Sequence, residues 1–492
     1  MTVGAATVAT MVINLVRAKI VAVLIGPYGL GITAQANALI NTLTPILFLG
    51  LNQGITKYLA AAREQGDETA AANVATSSGI AVLVTSLAGT LLTLAFVRPI
   101  SQWAMQDSSL VVLVSVSLIG VPFAVLYNLG RAFLQGHKEV RAIAVANVLS
   151  AVLSFATVIP LIRILGIEGA VINISLTWAL NAALYLWFWV RRGNGRLLKW
   201  AAFAWATLRL LVRYGGASLV VSSTNMLAIL LVRTFIVQHL GVIPNGLYQA
   251  VYGLSTQYLT LVTGAMAAYS FAQLSAIASR PAADATRDPE LNVEINNNVR
   301  LVALVMVPIL AGVVLLRRLG LVVFYSTKFL PAAELFPVQA IGDFFFALAW
   351  AFGLVLLPLG RVMPWLWINV SSTILVIPLT WVLIGPMRLE GVVVAYAFSQ
   401  SIQAGLSWWY IARYTSFHLA VPNTWLLARS LLLLVALALL PSSGVAPYLV
   451  GAVLTVAWLF TAVSLEEMRQ GVEMVRGRLA ALRTRGARRR NR

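Results

Sequence analysis

Apolar residues run along this chain in stretches of roughly 18 to 25, each closed by a few polar or turn-forming positions, and each long enough to cross about 30 Å of hydrocarbon as a helix. Fourteen such stretches stand out, at 3–25, 32–60, 71–97, 109–135, 141–163, 168–190, 214–240, 248–278, 299–319, 337–358, 364–385, 390–411, 426–441 and 446–465. Lipid offers an unpaired backbone group no partner, and the runs lack the alternation of a barrel strand, so helices are the solution the pattern allows. The expected fold is therefore all-α: a polytopic membrane protein of about fourteen transmembrane helices.

Composition agrees with this reading. Hydrophobic residues are 60% of 492, charged residues 10%, and mean hydropathy is +0.87. The first span begins at once, without a basic leader or a small-residue cleavage site, so the first helix is expected to be retained. No cysteine is present, which excludes disulfides, thiolate metal sites and cysteine nucleophiles. Nothing in the motifs implies a cofactor or a metal.

The net charge of +19 is largely a topology signal. With the N-terminus placed in the cytoplasm, inner segments collect fifteen basic residues before the tail is counted, and outer segments hold six, Arg98, Arg163, Arg317, Arg318, Lys328 and Arg388. An even number of spans then puts both termini in the cytoplasm. The bias argues for a bilayer and against nucleic acid as the partner of the basic residues. Leu197 to Arg213 reads as an amphipathic connector on the inner leaflet, and the tail from Glu466 as a basic arm against anionic lipid. The expected organisation is an N-lobe (1–192), a connector (193–213), a C-lobe (214–413), a two-helix appendage (414–465) and the tail (466–492).

Two equivalent six-helix halves are suggested by Leu15-Val16-Arg17-Ala18-Lys19-Ile20-Val21 and Leu231-Val232-Arg233-Thr234-Phe235-Ile236-Val237, each followed by Gly-Leu, at Gly29 and Gly246. Five cations, Arg17, Lys19, Lys57, Arg131 and Arg233, lie inside predicted spans, against one well-embedded carboxylate, Asp343. Each embedded cation costs roughly 2.5–3.5 kcal/mol on insertion scales, a total on the order of 10 kcal/mol, which is tolerable where the residues face a wet cavity. The missing counter-ion would then be an anionic cargo.

Helical period sorts these residues. Thr7, Thr10, Asn14 and Arg17 form one polar stripe on the first helix, and Ser218, Ser222, Asn225 and Arg233 a looser one on the seventh. Lys19 lies about 200° round from Arg17, so it snorkels or packs against the lobe. Arg131 shares a face with Asn128 and Gln135. The candidate substrate-binding set is Arg17, Arg233, Lys57, Arg131, Asn14 and Asn225, and Asp343 is a candidate for ion coupling or an ion pair across the lobes. No catalytic set is apparent: there is no DxD motif, and His137, His239 and His418 are isolated.

The segments Gly26-Pro27-Tyr28-Gly29-Leu30-Gly31, Gly50-Leu51-Asn52-Gln53-Gly54-Ile55-Thr56-Lys57-Tyr58, Val232-Arg233, Gly246-Leu247-Tyr248-Gln249-Ala250-Val251-Tyr252 and Tyr258-Leu259 resemble bacterial lipid-linked oligosaccharide flippases of the lipid III type. These belong to the multidrug/oligosaccharidyl-lipid/polysaccharide exporter superfamily. The resemblance covers the first eight spans by motif and the rest by topology. It implies two lobes that alternate in access, an undecaprenyl-pyrophosphate-linked glycan as cargo, residence in the bacterial inner membrane, Lys57 and Arg233 as cavity cations, and polysaccharide polymerase and glycosyltransferase machinery as partners. Tyrosine stands at 248 and 252, where tryptophan is expected of that group. A multidrug exporter of the same fold is the nearest alternative, and would need carboxylates where this chain has cations. A membrane glycosyltransferase or polymerase would need acid/base residues and a larger extramembrane loop than the roughly twenty residues from Ser279 to Asn298.

Overall fold

The computed structural model describes residues 3–199, 202–279, 286, 288–441 and 444–462, so the basic tail, the nine arginines in it and the end of the last predicted span lie outside the described residues. In chain order the helices are α1 (Val3–Leu47), α2 (Asn52–Gln65), α3 (Glu68–Ala95), α4 (Val97–Met105), α5 (Val111–Gly136), α6 (Val140–Arg191), α7 (Trp205–Leu240), α8 (Val242–Ala278), α9 (Pro289–Leu315), α10 (Arg317–Phe324), α11 (Phe336–Gly353), α12 (Val362–Tyr414), α13 (Val421–Ala438) and α14 (Val445–Ala462). No strand occurs among the described residues. Ten stretches of these residues are long and apolar enough to cross a membrane, and the fourteen predicted spans each fall mainly on one of the helices or helical arms.

Three of the longest helices reverse direction inside their range. The turns are held by single residues with positive φ: Gly26 (φ 66) in α1, Gly166 (φ 58) in α6 and Arg388 (φ 52) in α12. Gly241 (φ 96) makes the same kind of turn between α7 and α8. Glycine suits these positions because the left-handed region carries no Cβ penalty. Hydrogen bonds tie the arms together, Ser150 Oγ to Asn181 Oδ1 at 2.7 Å and Tyr185 OH to Asn147 Oδ1 at 2.6 Å in α6, and Gln403 Nε2 to Asn369 Oδ1 at 3.3 Å in α12.

The turns fix an internal register. Gly26 and Gly241 stand 215 positions apart, and Gly166 and Arg388 stand 222 apart with nearly the same backbone angles. The hairpins that contain Gly26 and Gly166 are thus matched by those that contain Gly241 and Arg388.

Apolar packing follows the same division. One buried cluster is built from residues between Ile32 and Leu230, another from residues between Leu259 and Ala462. A third joins Ala22 and Leu30 of α1 to Val232, Ile236 and Val251. Polar contacts cross that seam: Asn245 Nδ2 donates to Gly31 O (2.9 Å), Gln35 Nε2 to Thr234 Oγ1 (2.8 Å) and Thr42 Oγ1 to Met226 O (3.0 Å).

The predicted surface connector is shorter than the amphipathic pattern suggested. Trp205 to Arg213 form the first turns of α7, and the segment before it is tied to α3, where Thr76 Oγ1 donates to Leu197 O and Ser77 Oγ accepts from Ala204 N at 2.9 Å. An amphipathic pattern marks one wet face but cannot tell a helix lying in the interface from the first turns of a span.

Candidate functional site

Two cavities open between the hairpins. The first, enclosing about 1200 Å³ of empty space, lies between the arms of α1 and α6 and is lined by Thr10, Asn14, Arg17, Asn37, Asn173 and Asn181, among others. Among the described residues, Arg17 is the one Lys or Arg that lines it. Its Nη1 donates to Ser154 Oγ, the Ser154 hydroxyl lies 2.6 Å from Thr177 Oγ1, and Thr177 in turn donates to Asn173 O at 2.6 Å. This relay runs away from the arginine, so each hydroxyl accepts on one side and donates on the other. Arg17 makes no other hydrogen bond among the described residues, and its remaining N–H groups are available to a ligand in the cavity. Among the described residues no carboxylate lines this space.

The second cavity, of about 1040 Å³, lies between α7, α8, α11 and the arms of α12. Asn225, Tyr248, Tyr252, Tyr396, Gln339 and Gln400 are on its wall, and among the described residues no Lys, Arg, Asp or Glu is. Immediately behind the wall sits Asp343, wholly buried. Its Oδ2 accepts from Ser255 Oγ (2.6 Å) and from Tyr258 OH, and its Oδ1 accepts from Gln339 Nε2 and Tyr396 OH, both at 3.0 Å. Four donors satisfy a carboxylate without a counter-ion.

The two cavities occupy matched places in the internal register. With the offset of 215, Thr10, Asn14, Arg17 and Asn37 correspond to Asn225, Ile229, Val232 and Tyr252; with the offset of 222, Ser150, Ile174 and Thr177 correspond to Ser372, Tyr396 and Ser399. Every residue of both sets lines its own cavity.

The candidate residues separate accordingly. Asn14 and Arg17 line the first cavity and Asn225 the second. Arg233 faces neither: it is 2% exposed, donates to Asn245 Oδ1 at 3.1 Å and to Gln249 Oε1, and packs its guanidinium over the rings of Tyr248 and Tyr252, 5.5 and 5.2 Å from their centroids. The expectation that Arg233 is a cavity cation equivalent to Arg17 therefore fails in this structure. The residue matched to Arg17 is Val232, and a slip of one position rotates a side chain by about 100° round a helix.

Lys57 lies over the ring of Tyr214 on α7, 4.2 Å from its centroid, and 5.4 Å from that of Tyr58, at the seam and outside both cavities. Arg131 is exposed and lines neither. Lys19 donates to Val323 O at 2.6 Å and to Val322 O at 3.3 Å, at the last carbonyls of α10, so of snorkelling and packing it takes the second in this structure. The ion pair expected of Asp343 is absent: no cation bonds it among the described residues. Sequence reading missed the relay of Ser154 and Thr177 and the cluster around Asp343. The i, i+4 pairs Tyr248/Tyr252 and Gln339/Asp343 were the available signal for the second cavity.

Paired helical hairpins around two apposed cavities, with the polar groups turned inward at membrane depth, define a multi-pass membrane transporter. The profile of the polysaccharide biosynthesis protein family matches residues 2–271, and the chain belongs to that family. It is 25% identical over 389 residues to a lipid III flippase of Escherichia coli (strain K12), covering 77% of this chain and 89% of the relative, and equally to that of Shigella flexneri. Among solved structures, an inward-facing multidrug resistance MATE transporter of the MOP superfamily superposes with TM-score 0.69 at 16% identity, covering 82% of this chain and 94% of that one. The lipid II flippase MurJ, in an inward closed conformation, does so with TM-score 0.68 at 13% identity over 94% and 97%. These likenesses show that the chain shares its fold with both transporters.

Proposed function

We propose that this protein flips an undecaprenyl-pyrophosphate-linked oligosaccharide from the inner to the outer leaflet by alternating access of two lobes, 1–192 and 214–413, in cell-surface polysaccharide biosynthesis. The observation that carries the reading is Arg17: a guanidinium in a cavity at membrane depth, held on one side by Ser154 and lacking any anionic partner in that cavity. A pyrophosphate is the complementary charge, and the fork of a guanidinium matches its oxygens. The amides and hydroxyls around Arg17 replace water for the polar head as it leaves the interface. Kinship with lipid III flippases supports the same cargo class. A cationic drug as cargo is disfavoured by the absence of a carboxylate from either cavity wall. In this reading Asp343 is the coupling group, since a buried carboxylate held only by neutral donors can take up a proton or a cation without breaking an ion pair. Polysaccharide polymerase and glycosyltransferases are the expected partners, and the basic inner segments place both termini in the cytoplasm.

The test is flipping of an undecaprenyl-pyrophosphate-linked saccharide in proteoliposomes at matched protein level. Arg17→Gln should reduce transport at least tenfold without loss of insertion, and Arg17→Lys should restore it only in part, because an ammonium keeps the charge and loses the fork. Wild-type rates in Arg17→Gln would remove the anionic-head reading.

A further inference from the structure

The two cavities share a scaffold and differ in chemistry. Moving from the first to the second by the internal register, Arg17 becomes Val232, Asn14 becomes Ile229, Asn37 becomes Tyr252 and Ile174 becomes Tyr396. The cation and two amides are gone, one amide has been gained where Thr10 becomes Asn225, and two aromatic rings have been gained. A site that binds the same chemical group twice would not diverge in this direction.

We infer that the second cavity binds the uncharged sugar portion of the cargo, while the first holds its charged head; this rests on the function proposed above and assigns its two parts to two places. The decisive feature is the direction of the hydrogen bonds at the wall. Ser255, Gln339 and Tyr396 all line the cavity, and all three spend a proton on Asp343 behind them. Gln339 Nε2 also donates to Ser255 Oγ at 3.4 Å, so both N–H groups of that amide are spent inside the wall and its oxygen is what it has left. Gln339 Oε1 and Gln400 Oε1 have no hydrogen-bond partner among the described residues, although the residues are only 2% and 7% exposed. A buried acceptor without a donor is costly, so these oxygens await donors that a ligand brings.

The wall thus offers the acceptors of Gln339 and Gln400 beside the donors of Asn225, Tyr248 and Tyr252, carries tyrosine rings and, among the described residues, lines the space without a cation. Hydroxyl groups and amide N–H groups on a ring that can stack on an aromatic face fit it. Phosphate oxygens lack the donors that Gln339 Oε1 and Gln400 Oε1 need, and no cation on the wall itself receives their charge among the described residues. Asp343 acts here as a positioning residue that fixes which way its neighbours' protons point.

The experiment measures binding of two probes, undecaprenyl pyrophosphate and undecaprenyl-pyrophosphate-N-acetylglucosamine, to the solubilised full chain. Wild type should bind the sugar-bearing probe more tightly. Gln400→Leu and Tyr252→Leu should each weaken the sugar-bearing probe by about tenfold, the worth of one hydrogen bond or stacking contact, and leave the bare pyrophosphate lipid unchanged. Unchanged affinity for the bare probe also shows that each variant is folded. Arg17→Gln should weaken both probes. Equal wild-type affinity for the two probes, or equal weakening of both by Gln400→Leu, would overturn the assignment of the sugar while leaving the anionic-head reading intact. Wild type that binds neither probe would overturn both.

Discussion

Gly31 of α1 and Gly246 of α8 meet across the seam as a symmetric pair. A Cβ on Gly31 would stand 2.2 Å from Val242 O, and a Cβ on Gly246 would stand 1.8 Å from Pro27 O. Pro27 and Val242, like Gly31 and Gly246, are 215 positions apart, so the two glycines admit carbonyls of equivalent residues, each from the opposite half. The pseudo-two-fold axis of the internal repeat passes between them. Only glycine lets two backbones come this close.

Alanine at either position should therefore act on the seam. Gly246→Ala meets backbone, which cannot rotate away, and should cost about 2–3 kcal/mol as an overpacked contact. Gly264→Ala, where nothing lies within 4 Å, is the matched control and should stay within about 0.5 kcal/mol. Thermal unfolding of the two solubilised variants decides it; equal melting temperatures would mean that the seam yields freely.

Arg233 should behave as a structural residue and not as a ligand. Arg233→Ala strips Asn245 and Gln249 of their buried donor and removes the cation over Tyr248 and Tyr252, with an expected loss of about 2–3 kcal/mol of stability. Affinity for undecaprenyl pyrophosphate in the surviving folded fraction should change by less than about threefold. A stable Arg233→Ala protein with head-group binding abolished would restore this residue to the substrate site.

Asp343→Asn should both loosen the cluster and uncouple transport. The new amide group is a donor placed among donors, which costs about 1–3 kcal/mol unless the hydroxyls of Ser255, Tyr258 and Tyr396 turn. Flipping in proteoliposomes with and without an imposed ion gradient reads the second effect: the variant should show the same rate in both, and a retained gradient response would assign coupling to another group.

The absence of cysteine makes orientation directly measurable. Gly166→Cys, at the turn of α6, should react with a membrane-impermeant maleimide in intact cells, and Gly193→Cys, just after that helix, should react only after permeabilisation. The reverse pattern would invert the proposed topology.

The sequence by itself determined the helical class, the positions of most helices and the stripe of Asn14 and Arg17, because run length and the 3.6-residue period are local properties that lipid enforces on any chain. It also disclosed that the halves repeat, but with a register one residue off at the arginines. In a chain so rich in leucine and valine, matched letters do not specify which face of a helix a residue occupies. The turn residues Gly26 and Gly241 do, and their positive φ is visible only in the folded backbone. That single step took Arg233 out of the cavity and packed it over Tyr248 and Tyr252. Likewise Ser255, Tyr258, Gln339 and Tyr396 converge on Asp343 from α8, α11 and α12, up to 141 positions apart, and Arg17 finds Ser154 137 positions away. Such partners are chosen by which helices pack together, and packing depends on the shape of whole surfaces, which no local pattern encodes.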